Sequence, residues 1–174
     1  FDFVRGSSLM RLIAYCSILF SILFFALVFL FNKVISISFP DEAQVAGYLG
    51  LFSSVMTGVT LLVSLFIANR VYSRLGIVNS VLLLPLTYIF SFAIFAAGNN
   101  LFSATTARFS QQVLLSGIAG TAWSALYNVV PSQKRAQVLA FQNGVPAQVG
   151  VALSGVLLII GEQAFNPQEV LLMG

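Results

Sequence analysis

The sequence has no histidine, one cysteine and very few charged residues. Without histidine the chain lacks the commonest metal ligand and a frequent general base, and with Cys16 alone it can form no internal disulfide. Charged residues make up 7% of the chain, against about 25% in soluble domains. The few basic residues are spread along the chain rather than clustered. We therefore predict no metal site, no cofactor, no enzymatic activity and no nucleic-acid partner.

Most of the chain consists of long apolar runs, and 59% of its residues are hydrophobic. Each run is long enough to cross a ~30 Å hydrocarbon core as a helix, and about twice the length of a barrel strand. The sequence thus predicts an all-α membrane protein, a polytopic helical bundle whose surroundings are a lipid bilayer. The predicted spans are residues 12–32, 45–68, 77–97, 105–127 and 136–160, and residues 170–174 begin a sixth.

The positive charges lie on one side of these spans. Six of the eight fall before the first span, between the second and third, or between the fourth and fifth: Arg5, Arg11, Arg70, Arg74, Lys134 and Arg135. The alternate connections carry mostly acids. By the positive-inside rule, this pattern predicts a cytoplasmic N-terminus.

The two ends of the sequence indicate an interior fragment of a longer protein. The chain begins at Phe1 rather than methionine, and it ends at Gly174 shortly after a new apolar stretch starts. No cleavable signal sequence is visible, because the first span is too long for a signal core and no small-residue cleavage site follows it.

Small residues recur every four positions on three spans. They are Gly50, Ser54 and Gly58 on the second span, Ser116, Gly120 and Ser124 on the fourth, and Gly150 and Ser154 on the fifth. Such stripes let helix backbones approach closely in lipid. They fit either surfaces that slide during a conformational cycle or static packing, and the sequence leaves both readings open.

Arg108 is the most informative single residue. It lies about one turn into the fourth span with Gln112 one turn further on, and the chain has no acidic residue between Glu42 and Glu162. An ionisable side chain within a span indicates a functional site, and a guanidinium suits carboxylate or phosphate groups. The alternative is an arginine that extends to the membrane interface along its own helix.

The fifth span is the most polar. Gln142, Asn143 and Gln148 accompany Gly144, Gly150 and Pro146, which removes a backbone hydrogen bond. A broken polar helix of this kind forms solute sites in carriers. A kinked helix whose amides bond to neighbouring helices explains the same residues. We predict Arg108, Gln112, Asn143 and Gln148 as solute-binding residues, with Pro146 and the small-residue stripes permitting movement.

Two segments resemble known carriers. Ala68-Asn69-Arg70 to Arg74-Leu75-Gly76, between the second and third spans, resembles the cytoplasmic signature loop of major facilitator carriers. Leu126-Tyr127-Asn128-Val129-Val130-Pro131, followed by Arg135, Ala140-Phe141, Gly144 and Gly150, resembles the late part of the nucleotide (ATP/ADP) translocase-like branch.

This resemblance implies spans seven to eleven of a twelve-span carrier, in its C-terminal half. The function implied is secondary transport by alternating access, an antiporter of nucleotides or related organic anions, with the missing N-terminal half and a small anionic solute as partners. A bacterial inner membrane is the location we expect. The alternative is a carrier-like sensor or scaffold module that regulates fused or associated cytoplasmic domains.

Overall fold

The computed structural model describes residues 8–98 and 100–164, and within these ranges it is helical without a β-strand. The predicted all-helical class is therefore confirmed. The α-helices are α1 (Ser8–Ser38), α2 (Glu42–Leu62), α3 (Ala68–Val81), α4 (Leu83–Gly98), α5 (Leu101–Leu114), α6 (Gly120–Ala125) and α7 (Ser132–Ala164). Two π-helical turns, Val63–Ile67 and Leu115–Ala119, join α2 to α3 and α5 to α6, and a 3-10 turn, Leu126–Val129, follows α6.

Four helical stretches among the described residues are long and apolar enough to cross a membrane. They are Met10–Ser38, Glu42–Arg74, Asn79–Gly98 and Gln133–Ile160. Each overlaps one of the predicted spans. The chain is thus compatible with an all-α membrane protein.

The predicted span 105–127 is helical but is not one of these four. It falls in the run from α5 through the second π turn to α6, and it carries Arg108, Gln111 and Gln112. These polar side chains lower the mean hydropathy of the run, so its membrane crossing stays a prediction. The predicted start of a sixth span at 170–174 lies outside the described residues.

The described chain forms two compact units. The first contains residues 8–28 of α1 together with 130–164, and the second contains 29–98 and 100–129. In the first unit α1 and α7 pack closely where Gly150 meets Ser21. A Cβ built on Gly150 would lie 2.5 Å from the Ser21 Cβ and 2.9 Å from the Ile18 carbonyl oxygen. Only glycine permits this approach.

In the second unit α2 and α5 run parallel. The Tyr48 hydroxyl donates to Thr105 Oγ1, whose own proton goes to the Leu101 carbonyl. One turn further along both helices, the rings of Phe52 and Phe109 lie 6.4 Å apart edge to face. The two π turns, which directly follow α2 and α5, also lie next to each other.

The reversals of the chain are set by specific turn residues. Gly76 has a φ of 76° and interrupts α3, so the predicted break between the second and third spans falls where only glycine is unstrained. Between α4 and α5, Asn100 caps the start of α5. Its Oδ1 accepts from the Ser103 backbone N–H at 2.9 Å, and Ser103 Oγ accepts from the Asn100 N–H at 3.1 Å. This capping box folds α4 and α5 into an antiparallel hairpin.

Candidate functional site

The Arg108 side chain is partly buried in the second turn of α5. Its Nη1 donates a hydrogen bond to Oε1 of Gln111, a residue that is fully buried. Tyr88, on α4, is a neighbour of both Gln111 and Arg108. The guanidinium is therefore held within the α4–α5 hairpin.

The antiparallel arrangement of α4 and α5 determines which of their residues lie at the same level. Tyr88 and Gln111 are each about eleven residues from the turn, so antiparallel helices bring them to the same level. By the same spacing, we expect Ser91 and Arg108 to lie at one level. Ser91 is fully buried, and neither its Oγ nor Nε2 of Gln111 has a hydrogen-bond partner among the described residues.

Arg108 and Gln111 together place a positive charge beside a buried amide nitrogen that has no hydrogen-bond partner among the described residues. An unsatisfied buried donor costs about 1–3 kcal/mol. Gln111 Nε2 can only donate, while the Ser91 hydroxyl can donate or accept. Together with Arg108 they provide donors for an anionic group, which is the chemistry that a carboxylate or phosphate oxygen requires.

Gln112 points away from this cluster, toward α2. Its Nε2 donates to Ser116 Oγ at 2.9 Å, and its Oε1 is buried with no hydrogen-bond partner among the described residues. Gln112 and Ser116, the latter in the second π turn, line an open groove of about 410 Å³ beside α2, and most of the lining residues are exposed. The other lining residues come from α2 and the first π turn: Met56, Thr57, Thr60, Leu61, Ser64 and Leu65.

The two π turns meet beside this groove. A Cβ on Gly117, in the second turn, would lie 2.9 Å from Cγ1 of Val63, in the first. The Tyr72 hydroxyl on α3 donates to the Ile118 carbonyl oxygen of the second π turn. A π turn displaces backbone groups from their usual partners, and such turns are frequent at functional sites.

The remaining predicted binding residues belong to the first unit. Gln148 lies exposed on α7. Asn143 is part of the same helix, and its side chain lies outside the described part of the structure. The buried amide of α7 is instead Gln142, whose Nε2 donates to the Met10 carbonyl oxygen at 3.3 Å. This contact is the helix-to-helix amide bond that the alternative explanation of the fifth span expects.

The predicted hinge and packing residues differ in their surroundings. Pro146 is buried within α7, and Gly150 is packed against α1. Gly120 contacts the Leu115 carbonyl of its own helical run, where a Cβ would lie 2.8 Å away. Around Gly50 and Gly58 no described atom lies within 4 Å of the Cβ position. Whether any of these residues moves stays a prediction.

Sequence reasoning missed Tyr88, Ser91 and the hydroxyls of the groove. Tyr88 lies in an apolar run with nothing locally unusual, and its relation to Gln111 follows only from the hairpin register. The signal that could have found it is the distance of both residues from the Gly98–Asn100 turn.

No protein family, curated protein or solved structure matches this chain. The major facilitator and nucleotide translocase resemblance therefore stays a prediction from the sequence.

Proposed function

We propose that this chain is part of a secondary transporter that moves an organic anion, such as a nucleotide, by alternating access. The observation that carries the proposal is Arg108, held partly buried by Gln111 in the α4–α5 hairpin beside Tyr88. A cation within an apolar helical run indicates a functional site, and a guanidinium suits the carboxylate or phosphate of an anionic solute.

Topology and helix irregularity support the same function. The charge pattern fits a cytoplasmic N-terminus, with Arg70 and Arg74 on the cytoplasmic side, as expected for half of a major facilitator-type carrier. The paired π turns are departures from regular helix, and they lie beside an open groove lined by both polar and apolar side chains. Carriers use such interruptions where helices form solute sites.

The test is exchange of labelled ADP and ATP by liposomes that contain the full-length protein. We expect saturable exchange whose apparent affinity falls about tenfold to hundredfold in Arg108→Ala, because a charge-assisted hydrogen bond is lost. Arg108→Lys keeps the charge but not the planar fork, and should recover part of the loss. Arg11→Ala, which removes an exposed arginine outside the signature-like loop, is the matched control.

Unchanged exchange in Arg108→Ala would mean that Arg108 does not bind the anion and that the binding site lies elsewhere in the protein. Absence of exchange in protein with a cooperative thermal unfolding transition would overturn nucleotide transport. The sensor or scaffold function would then be the one to test.

A further inference from the structure

The guanidinium of Arg108 is directed inward along α5. Its Nη1 donates to Oε1 of Gln111, which lies one turn further from the start of the helix at Leu101. An arginine that extends along its own helix to the nearer membrane interface would point the other way, toward Leu101. The observed direction leaves the positive charge within the α4–α5 hairpin, where a charge is costly unless an opposite charge and hydrogen bonds compensate it.

Two fully buried groups near this charge can donate hydrogen bonds. Nε2 of Gln111 has no partner among the described residues, and it lies next to the guanidinium because the oxygen of the same amide accepts from Arg108. The hydroxyl of Ser91, which we expect at the level of Arg108, also has no partner there. An amide N–H and a hydroxyl beside a guanidinium form a set of donors, which an acceptor with a negative charge satisfies.

Burial limits the size of the ligand that can contact these donors. Gln111 and Ser91 are both 0% exposed, while Arg108 is partly exposed. A ligand that reaches the two buried groups must fit between α4 and α5, where side chains are closely packed. It therefore has the size of one atom or a very small group, whereas a large solute can approach only the exposed part of Arg108.

We propose that Arg108, Gln111 and Ser91 bind a single chloride ion between α4 and α5. A monatomic anion accepts hydrogen bonds from several directions, and its one negative charge balances the one positive charge of Arg108. A water molecule would satisfy the amide and the hydroxyl but would leave that positive charge uncompensated. Chloride then occupies the position of an oxygen of the transported anion, so the two compete. Only this competition rests on the proposed transport function.

The first test is thermal unfolding of the full-length protein while sodium chloride replaces sodium gluconate at constant ionic strength. Because a ligand of the folded state stabilises it by mass action, we expect the Tm to rise with chloride and then saturate. Arg108→Gln removes the charge and should weaken the apparent affinity about tenfold to hundredfold. Ser91→Ala removes one neutral donor and should weaken it about threefold to tenfold.

Ser80→Ala is the matched control for Ser91→Ala. Ser80 is also 0% exposed, and its Oγ donates to the Gly76 carbonyl oxygen at 2.7 Å on α3. Loss of this bond changes the stability without chloride, but the apparent affinity for chloride should stay within about twofold of the wild-type value. If Arg108→Gln fails to fold, the comparison of the two serine variants carries the test.

The second test is the effect of chloride on exchange of labelled ADP in liposomes. Competition at Arg108 should raise the apparent KM for ADP and leave the maximal rate unchanged. A lowered maximal rate with an unchanged KM would overturn the shared position.

Two results of the unfolding experiment overturn the chloride site itself. One is the absence of a saturable chloride response in wild-type protein that unfolds cooperatively. The other is a response whose apparent affinity is the same in Arg108→Gln, Ser91→Ala and the wild type, because the ion then binds elsewhere. A response that both substitutions weaken, in protein that exchanges no organic anion, would keep the chloride site and overturn the proposed transport.

Discussion

The stripe of small residues on α7 and the stripe on α2 look alike in the sequence and differ in the structure. On α7, Gly150 is pressed against Ser21 and the backbone of α1, and Ser154 is 1% exposed. On α2, the Cβ positions of Gly50 and Gly58 have no described atom within 4 Å, and Ser54 is exposed. None of the residues of α2, all of which are described, is buried.

The difference shows that a stripe of small residues indicates close packing of two helices only where a partner helix lies against it. On α7 the stripe has its partner within the same unit, so static packing explains it fully. On α2 nothing within the described residues explains why the helix accepts the conformational-entropy cost of glycine, about 0.5–1 kcal/mol per position relative to alanine. Of these two stripes, the one on α2 is therefore the better candidate for a sliding surface, and its movement stays a prediction.

The largest effect that separates the two stripes is expected from Gly150→Val. A branched side chain there must displace the backbone of α1 at Ile18, so overpacking should lower the free energy of unfolding by about 1–3 kcal/mol or more. Gly58→Val, on the open stripe, should change it by no more than about 0.5 kcal/mol. Thermal unfolding in detergent, followed by circular dichroism, measures both.

A second substitution, at Ser21, tests whether the loss of stability comes from the contact between residues 150 and 21. Ser21→Gly removes the side chain that a Cβ at 150 would meet first, at 2.5 Å. It should therefore recover part of the loss in Gly150→Ala, while the contact with the Ile18 carbonyl oxygen remains. Equal losses in Gly150→Val and Gly58→Val would mean that the α2 stripe is packed in the full-length protein.

A smaller effect is expected where the two π turns meet. A Cβ on Gly117 would lie 2.9 Å from Cγ1 of Val63, a side-chain atom that can move aside. Gly117→Ala should therefore cost about 1 kcal/mol, less than Gly150→Val, and Val63→Ala in the same chain should relieve it. The double-mutant cycle is measured by the same unfolding experiment, and strict additivity would contradict the contact.

The helices and their main reversals could be predicted from the sequence because they depend on local information. Apolar runs of sufficient length gave the helices. Gly76, which interrupts α3, lies at the predicted boundary between the second and third spans, and Gly98 precedes the reversal between α4 and α5. Arg108 was recognisable because a charge within an apolar run is unusual wherever it packs.

The surroundings of Arg108 and Gln112 could not be predicted in the same way, because they depend on which helix faces which. Tyr88 reaches Gln111 only through the hairpin register. The π turns occur in Val-Ser-Leu-Phe-Ile and Leu-Ser-Gly-Ile-Ala, stretches whose local composition is compatible with an ordinary α-helix. Their cause is tertiary: Gly117 must approach Val63, and Tyr72 must reach the Ile118 carbonyl.

The smallest predicted effect compares the serines of the two stripes. Ser154 Oγ is buried with no partner among the described residues, whereas Ser54 Oγ is exposed and bonded to the Gly50 carbonyl oxygen at 2.8 Å. Ser154→Ala removes an unsatisfied hydroxyl at little cost in volume, so it should raise the free energy of unfolding by up to about 1 kcal/mol. Ser54→Ala should leave it within about 0.5 kcal/mol. Thermal unfolding of both variants in the full-length protein decides the comparison. A loss of stability in Ser54→Ala would indicate that another part of the protein covers the α2 stripe, and a loss in Ser154→Ala would indicate that its hydroxyl has a partner there.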